Sequence, residues 1–298
     1  MQLQFRDLEI FITVCEEKSF TKAAEKLYIA QPSISKTVQK IEREFSSVLI
    51  NRANKNISLT ETGEIVYKRS KEILFLLENM QNEINDLSNT VTGELKIGIP
   101  QIIGTVFYPK IAKRFSERFP HVKLNIKEEG GLIVEKLVDN GTLDIGLVVY
   151  PPSIKTLNTE LIYKDKFVLC VHPDHPIANL KEVSLNSLKN ENFIMFAKTF
   201  ALHNVVLQAC KEEGFIPNIV FESTQWDLML ELVSAKIGIT IIPRILFYKI
   251  NNANVVSIPI IKDNLYWKIG IITKKNTYQS KALKKFIEVV KEIYQGTE

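Results

Sequence analysis

Cysteine is scarce in this chain. Its 298 residues hold three, Cys15, Cys170 and Cys210, widely separated and odd in number. No disulfide framework is expected, and a reducing compartment is the default. No run of eighteen apolar residues exists, so no membrane span is expected. The first ten residues include Arg6, Asp7 and Glu9 in place of an apolar stretch. No export signal is therefore expected, and the expected location is the cytoplasm. Histidine is scarce too. His121, His172, His175 and His203 lack acidic partners at metal-ligand spacing, and His172 and His175 are each followed by proline. That suits a turn better than a zinc site, so no metal is expected. The sequence also lacks a Walker loop, a Gly-Xaa-Ser-Xaa-Gly elbow and a dinucleotide-binding glycine triad. Its scattered carboxylates suggest no acid–base pair. No catalytic residue and no cofactor are expected.

The charge excess is small as well. A formal net charge of +4 argues neither for nor against nucleic acid. Residues 18–55 are different, with eight basic side chains (Lys18, Lys22, Lys26, Lys36, Lys40, Arg43, Arg52, Lys55) against three acidic ones (Glu25, Glu42, Glu44). Such a patch can displace counterions from DNA. The same stretch, KSFTKAAEKLYIAQPSISKTVQKIER over 18–43, predicts two short helices joined by a tight turn. Ala23, Ala24 and Leu27 give the first a small apolar face, and small residues let two helices cross closely. Ile34, Val38 and Ile41 form one stripe of the second. Its other face carries Ser33, Ser35, Lys36, Gln39 and Lys40, a hydroxyl, amide and basic surface suited to a major groove. Ahead of it, residues 5–17 place Leu8, Phe11, Ile12 and Cys15 on one helical face. Ser19 and Thr21 are candidate N-caps, and Pro32 suits a first helical turn. Residues 48–60 read as two short strands around an Asn-rich turn, a small wing.

Between Gly63 and Gly93 there is neither glycine nor proline. Val66, Ile73, Leu77, Met80, Ile84 and Leu87 follow heptad spacing there, so a long helix with an apolar seam is predicted, paired with a second copy. From residue 94 the rhythm becomes strand–helix alternation. Strands are predicted at Leu95–Ile99, Val122–Glu128 and Leu143–Val149, with helices at Val106–Phe119 and Leu132–Asn140. A second β-α-β-α-β set follows: Phe193–Ala197, His203–Glu213, Asn218–Ser223, Gln225–Ala235 and Gly238–Pro243. A strand at Phe167–Val171 lies between the sets. Trp267–Thr273 and a helix over Lys281–Tyr294 come last. Two similar α/β lobes with mainly parallel sheets are expected, enclosing a cleft. Ligands in such sheets bind beyond the carboxyl ends of the strands.

The phrases SFTKAAEKL (Ser19–Leu27), AQPSIS (Ala30–Ser35), the Ile41-Glu42 pair, Arg52 and LTETG (Leu59–Gly63) resemble the LysR-type transcriptional regulators. So do LKIGI (Leu95–Ile99), RFSERFPHVKLNI (Arg114–Ile126), NGTLDIGLV (Asn140–Val148), HPDHP (His172–Pro176) and KIGITIIPR (Lys236–Arg244). Each phrase alone is weak, but their shared order along nearly the whole chain is specific. The resemblance implies a winged helix-turn-helix (1–61), a linker helix that dimerises (62–90) and a two-lobed α/β effector domain like a periplasmic binding protein (91–298). Lobe I would comprise about 91–165 and 268–298, and lobe II about 166–267. It further implies homotetramers that bend promoter DNA under control of a small molecule, with RNA polymerase as a partner where a member activates. Ser46 stands where the family usually has glycine, and Val48 and Ile50 replace its usual proline and phenylalanine. YIAQPSISK and EEGGLIVEKLVDN are similar to a subgroup controlling overflow metabolism and holin-like operons in low-GC Gram-positive bacteria.

Candidate DNA-reading residues are Gln31, Pro32, Ser33, Ser35, Lys36 and Gln39. Gln can bond adenine in bidentate fashion, Ser serves either edge, and the Pro32 ring can meet a thymine methyl. Lys40, Arg52, Lys55 and Thr60 are candidates for phosphate or the minor groove. A dimer would read an interrupted palindrome in double-stranded promoter DNA. Candidate effector contacts are Gln101, Ile102, Ile103, Gly130, Tyr150, Lys198, Thr199, Phe200, Thr224 and Gln225. Ile103–Thr105 and Thr199–Ala201 would lie near helix N-termini, which favour an anion, so a small carboxylate is the expected class. The rival readings are an enzyme and a solute-binding receptor using the two-lobed domain. An enzyme would show no promoter preference, and a receptor would not need residues 1–90.

Overall fold

The computed structural model describes residues 3–51, 57–87, 90–249 and 253–294. Three helices come first: α1 (Phe5–Glu17), α2 (Phe20–Leu27) and α3 (Gln31–Glu44). Strands β1 (Ile50–Asn51) and β2 (Ser58–Leu59) pair antiparallel as the wing. Phe11, Val14, Ala23, Ile34, Val38 and Ile41 are fully buried where the helices meet. Asp7, on the first turn of α1, accepts the Gln4 N–H at 2.9 Å and holds Lys40 of α3 at 2.7 Å. Ser19 rather than Thr21 caps α2, its Oγ accepting from Lys22 N at 3.2 Å. The end of α3 has a left-handed residue, Ser46, at φ 48°. Ser47 N donates to Glu42 O and Ser46 N to Arg43 O, which together close a Schellman motif. The Glu42 carboxylate then accepts from Leu49 N at 3.0 Å and Ile50 N at 3.4 Å, fixing the entry to the wing.

Helix α4 (Glu61–Asn85) runs 25 residues, about 37 Å at 1.5 Å per residue. Thr60 caps it, its Oγ1 accepting from Gly63 N at 3.0 Å. Gly63 is required by space: a Cβ there would stand 2.1 Å from the Leu49 carbonyl oxygen. The first half of α4 packs on α1, with Lys71 paired to Glu16 at 2.9 Å.

The remainder comprises β3 (Gly93–Ile99), α5 (Gln101–Arg118), β4 (Val122–Glu128), α6 (Gly131–Asp139), β5 (Ile145–Val149) and β6 (Leu157–Val171). Then come β7 (Val183–Ser184), a 3-10 turn (Leu185–Leu188), β8 (Asn192–Phe196), α7 (Ala201–Glu212), β9 (Asn218–Ser223) and α8 (Trp226–Ser234). Last are β10 (Thr240–Pro243), α9 (Arg244–Phe247), β11 (Val256–Ile261), β12 (Tyr266–Lys274) and α10 (Lys281–Tyr294). Strands β4, β3 and β5 are parallel neighbours. β12 then pairs antiparallel with β5 and with β6. The unbroken 15-residue β6 crosses between lobes. Up to Lys166 it pairs with β12, and from Phe167 with β10 and β11.

Three expectations need correction. The sheets are mixed rather than mainly parallel: β12 runs antiparallel to β5 and β6, and β10 and β11 run antiparallel to β6, while β11 pairs parallel with β7. The first ten residues of β6, LNTELIYKDK, alternate with polar and charged groups, so only FVLCV signalled a strand. Helix α5 also begins at Gln101, five residues before the expected start. Gly104 and Pro109 weaken its pattern, yet Ile102, Ile103, Val106, Phe107, Ile111 and Phe115 bury one face and carry it across both.

Candidate functional site

Two places on this fold gather chemistry. On α3, Ile34, Val38 and Ile41 are fully buried, which turns the opposite face outward. Gln31, Pro32, Ser33, Lys36 and Gln39 are exposed there, and Ser35 is half-buried. Gln31 Nε2 donates to Ser35 Oγ at 3.0 Å, which steadies the amide and leaves its oxygen outward-capable. Lys40 and Thr60 are engaged within the protein. Lys40 pairs with Asp7, and the Thr60 hydroxyl donates to Val48 O at 2.7 Å while capping α4. Arg52 and Lys55 lie outside the described residues. Tyr28, in the turn before α3, is 95% exposed at φ 54°. A left-handed tyrosine leaves no periodic signal to find.

The second place is a cavity of about 720 Å³ between the lobes. It is formed by the carboxyl ends of β3, β4 and β5 with the start of α7. Gln101, Ile102, Ile103, Gly130, Lys198, Thr199 and Phe200 line it, as expected from their positions after strands. Three expected residues do not. Tyr150 packs over Gly270, where an added Cβ would meet its ring at 2.9 Å, and Pro151 takes its place on the wall. Thr224 and Gln225 are exposed at the start of α8 and are not on the wall. The residues before α5, α6 and α7 are Pro100, Gly130 and Phe200, and none offers a side-chain cap. The first N–H groups of each helix have no intrahelical partner, so all three helix starts present donors at this cavity.

The lining also includes Glu128, Glu129, Glu135 and Trp267, which the sequence reading missed. Glu128 ends β4 and Glu129 directly follows it, a signal that was available. Trp267 comes from β12, far along the chain, and only the sheet order brings it here. Glu135 is 4% exposed, and its Oε2 accepts from Ser153 N at 2.8 Å and Ile154 N at 2.9 Å. It ties the loop after β5 to α6. On the buried face of α7, His203 is 3% exposed with Nδ1 2.7 Å from Phe196 O, a core contact. Burial pushes the Cys15 and Cys210 thiols up to about 12 and raises Cys170 as well. All three stay protonated and unreactive at neutral pH.

A family model described as "Bacterial regulatory helix-turn-helix protein, lysR family" matches residues 5–64, and one described as "LysR substrate binding domain" matches residues 88–295. The chain belongs to the LysR family of transcriptional regulators. It is 36% identical over 289 residues to the uncharacterized HTH-type transcriptional regulator YwbI of Bacillus subtilis (strain 168), covering 97% of this chain and 96% of that protein. It is 30% identical over 294 residues to the transcriptional regulator CysL of the same organism, covering 93% and 98%. Among solved structures, full-length OxyR from Pseudomonas aeruginosa is similar at TM-score 0.79 and 20% identity, covering 98% of this chain and 94% of that one. CbnR, complexed with its target DNA, is similar at TM-score 0.70 and 22% identity, covering 97% and 99%. This LysR-type regulator therefore joins a DNA-binding helix-turn-helix to an effector-binding domain.

Proposed function

We propose that this regulator reads duplex promoter DNA with the outer face of α3 and senses a small organic anion in the interlobe cavity. The observation that supports it most is the cavity wall. Three helix starts without side-chain caps and the Lys198 ammonium converge on about 720 Å³. That is room for a small metabolite, and the donors favour negative charge. Ile102, Ile103 and Phe200 supply apolar surface. On α3, Gln31 and Ser33 are placed for base edges, while Lys36 suits a phosphate.

The regulator acts as a homodimer through α4. Ile65, Ile73, Leu76, Met80 and Ile84 are exposed within a ~100° arc of that helix, and the exposed Leu87 follows just past its end. This stripe differs from the heptad reading: Val66 is buried in the DNA-binding domain and Leu77 is half-buried, while Ile65 and Leu76 join the exposed set. An apolar face this long is stable only when covered, and a second α4 has the same length and pattern. Two recognition helices then read an interrupted palindrome. Homotetramers and contact with RNA polymerase during activation follow the family pattern. No helix of the described residues is long and apolar enough to cross a membrane, and a cytoplasmic location matches work on promoter DNA.

The test is a promoter-shift titration of the full chain, with and without organic acids, alongside thermal-shift measurement. Sequence-preferring binding that an acid alters is expected. Indifference to the upstream region at modest ionic strength would refute the reading.

A further inference from the structure

The cavity wall is not suited to a simple acid alone. It carries three carboxylates, Glu128, Glu129 and Glu135, against one ammonium, Lys198. Glu135 is accounted for by the backbone N–H groups of Ser153 and Ile154. The carboxylates of Glu128 and Glu129 have no ion-pair or hydrogen-bond partner among the described residues. A plain dicarboxylate placed here would meet two like charges at short range.

The sheet register fixes where that acidic pair stands. Ile99 of β3 is paired with Glu128 of β4, and Glu129 N donates to Ile99 O at 3.4 Å. Pro100 and the start of α5 are therefore one strand spacing, about 5 Å, from Glu128 and Glu129. Donors for an anion and acceptors for a cation sit side by side.

We propose that the effector is an α-amino acid or a close amino-carboxylate. Its carboxylate lies against the α5 start and its ammonium against Glu128 and Glu129. The short reach between the two charged subsites matches amine and carboxylate carried on one carbon. This inference rests on the cleft being the effector site, and it narrows the expected organic anion to a zwitterion.

The test is calorimetric titration of the full-length protein with the twenty standard L-amino acids and their deamino acids. At least one amino acid should bind ten-fold or more tighter than its deamino partner. Glu128→Gln with Glu129→Gln should bring that ratio to within three-fold, leaving plain acids unchanged or tighter. Plain acids binding as tightly as amino acids, or a preference that survives the double variant, overturns the amine subsite and leaves the cleft reading standing. Leu132 also lines the cavity; binding insensitive to Lys198→Gln and to Leu132→Trp, or no binding by any compound, overturns both.

Discussion

The Asp86 carboxylate, at the C-cap of the linker helix, accepts from the Tyr278 hydroxyl at 2.7 Å and from Lys281 N at 2.6 Å. Lys281 opens α10 and Tyr278 stands just before it, so this contact ties α4 to lobe I. Two more reinforce it. Lys96 of β3 holds Glu78 at 2.6 and 2.8 Å, and the Phe75 ring sits over Gly141, where a Cβ would stand 2.6 Å from it. A shift of lobe I must therefore strain or move the linker helix.

The Asp86 latch gives the first prediction. Its hydrogen bond holds the Tyr278 phenol up at about 12. Hydrogen bonds to a charged partner contribute about 1.5–3 kcal/mol. Asp86→Ala should lose about that much in urea unfolding, and Tyr278→Phe less. Amide exchange over residues 73–87 should quicken in both. Unaltered exchange would show that the latch does not hold the helix.

Asp144 gives a pH dependence. It accepts from Lys96 N at 2.7 Å, yet burial first, and then Glu78, push its carboxyl up from 3.8 to about 6. The folded state thus binds this proton more tightly than the unfolded chain. Stability falls as pH rises from about 4 to about 6 and stays reduced above that. Roughly two pH units amount to at most about 3 kcal/mol. Asp144→Asn should remove that slope and be the more stable protein at pH 8. Parallel stability curves for the two proteins between pH 4 and 8 would contradict it.

Ser46 sits at φ 48° in the Schellman turn after α3. A side chain there costs about 1–2 kcal/mol relative to glycine. Glycine gives back about 0.4–1 kcal/mol through the unfolded chain. Ser46→Gly should therefore stabilise the DNA-binding domain by about 0.5–1 kcal/mol in denaturant titration. A loss of stability would mean the turn is held by something else.

Leu76 and Met80 are 65% and 54% exposed on the α4 stripe. Leu76→Glu with Met80→Glu should halve the sedimentation mass at micromolar concentration while the circular dichroism of the chain is kept. An unchanged mass would move the dimer contact elsewhere.

On α3, Gln31→Ala should cost about 1–3 kcal/mol at one base position of the operator. Lys36→Ala should weaken binding to all sequences alike and lower the salt slope by about one. Both are read by anisotropy titration against base-substituted duplexes, and wild-type behaviour in both would remove α3 as the reader.

The primary structure alone determined the parts built by local periodicity. The stripe Ile34, Val38 and Ile41 set which face of α3 is exposed. The uninterrupted segment after Gly63 set the linker helix. The runs LKIGI and VKLNIKE set two parallel strands and the residues that follow them. Each depends on neighbours three, four or two positions apart, which a sequence displays directly. Tertiary structure decided what depends on distant pairing. It made β6 one long crossing strand, because LNTELIYKDK finds its partner in β12 about a hundred residues later. It set Tyr150 aside and brought Trp267 into the cavity, and it occupied Lys40 with Asp7. Contacts between residues far apart in the chain are selected by packing and charge pairing in three dimensions, and neither leaves a period in the sequence.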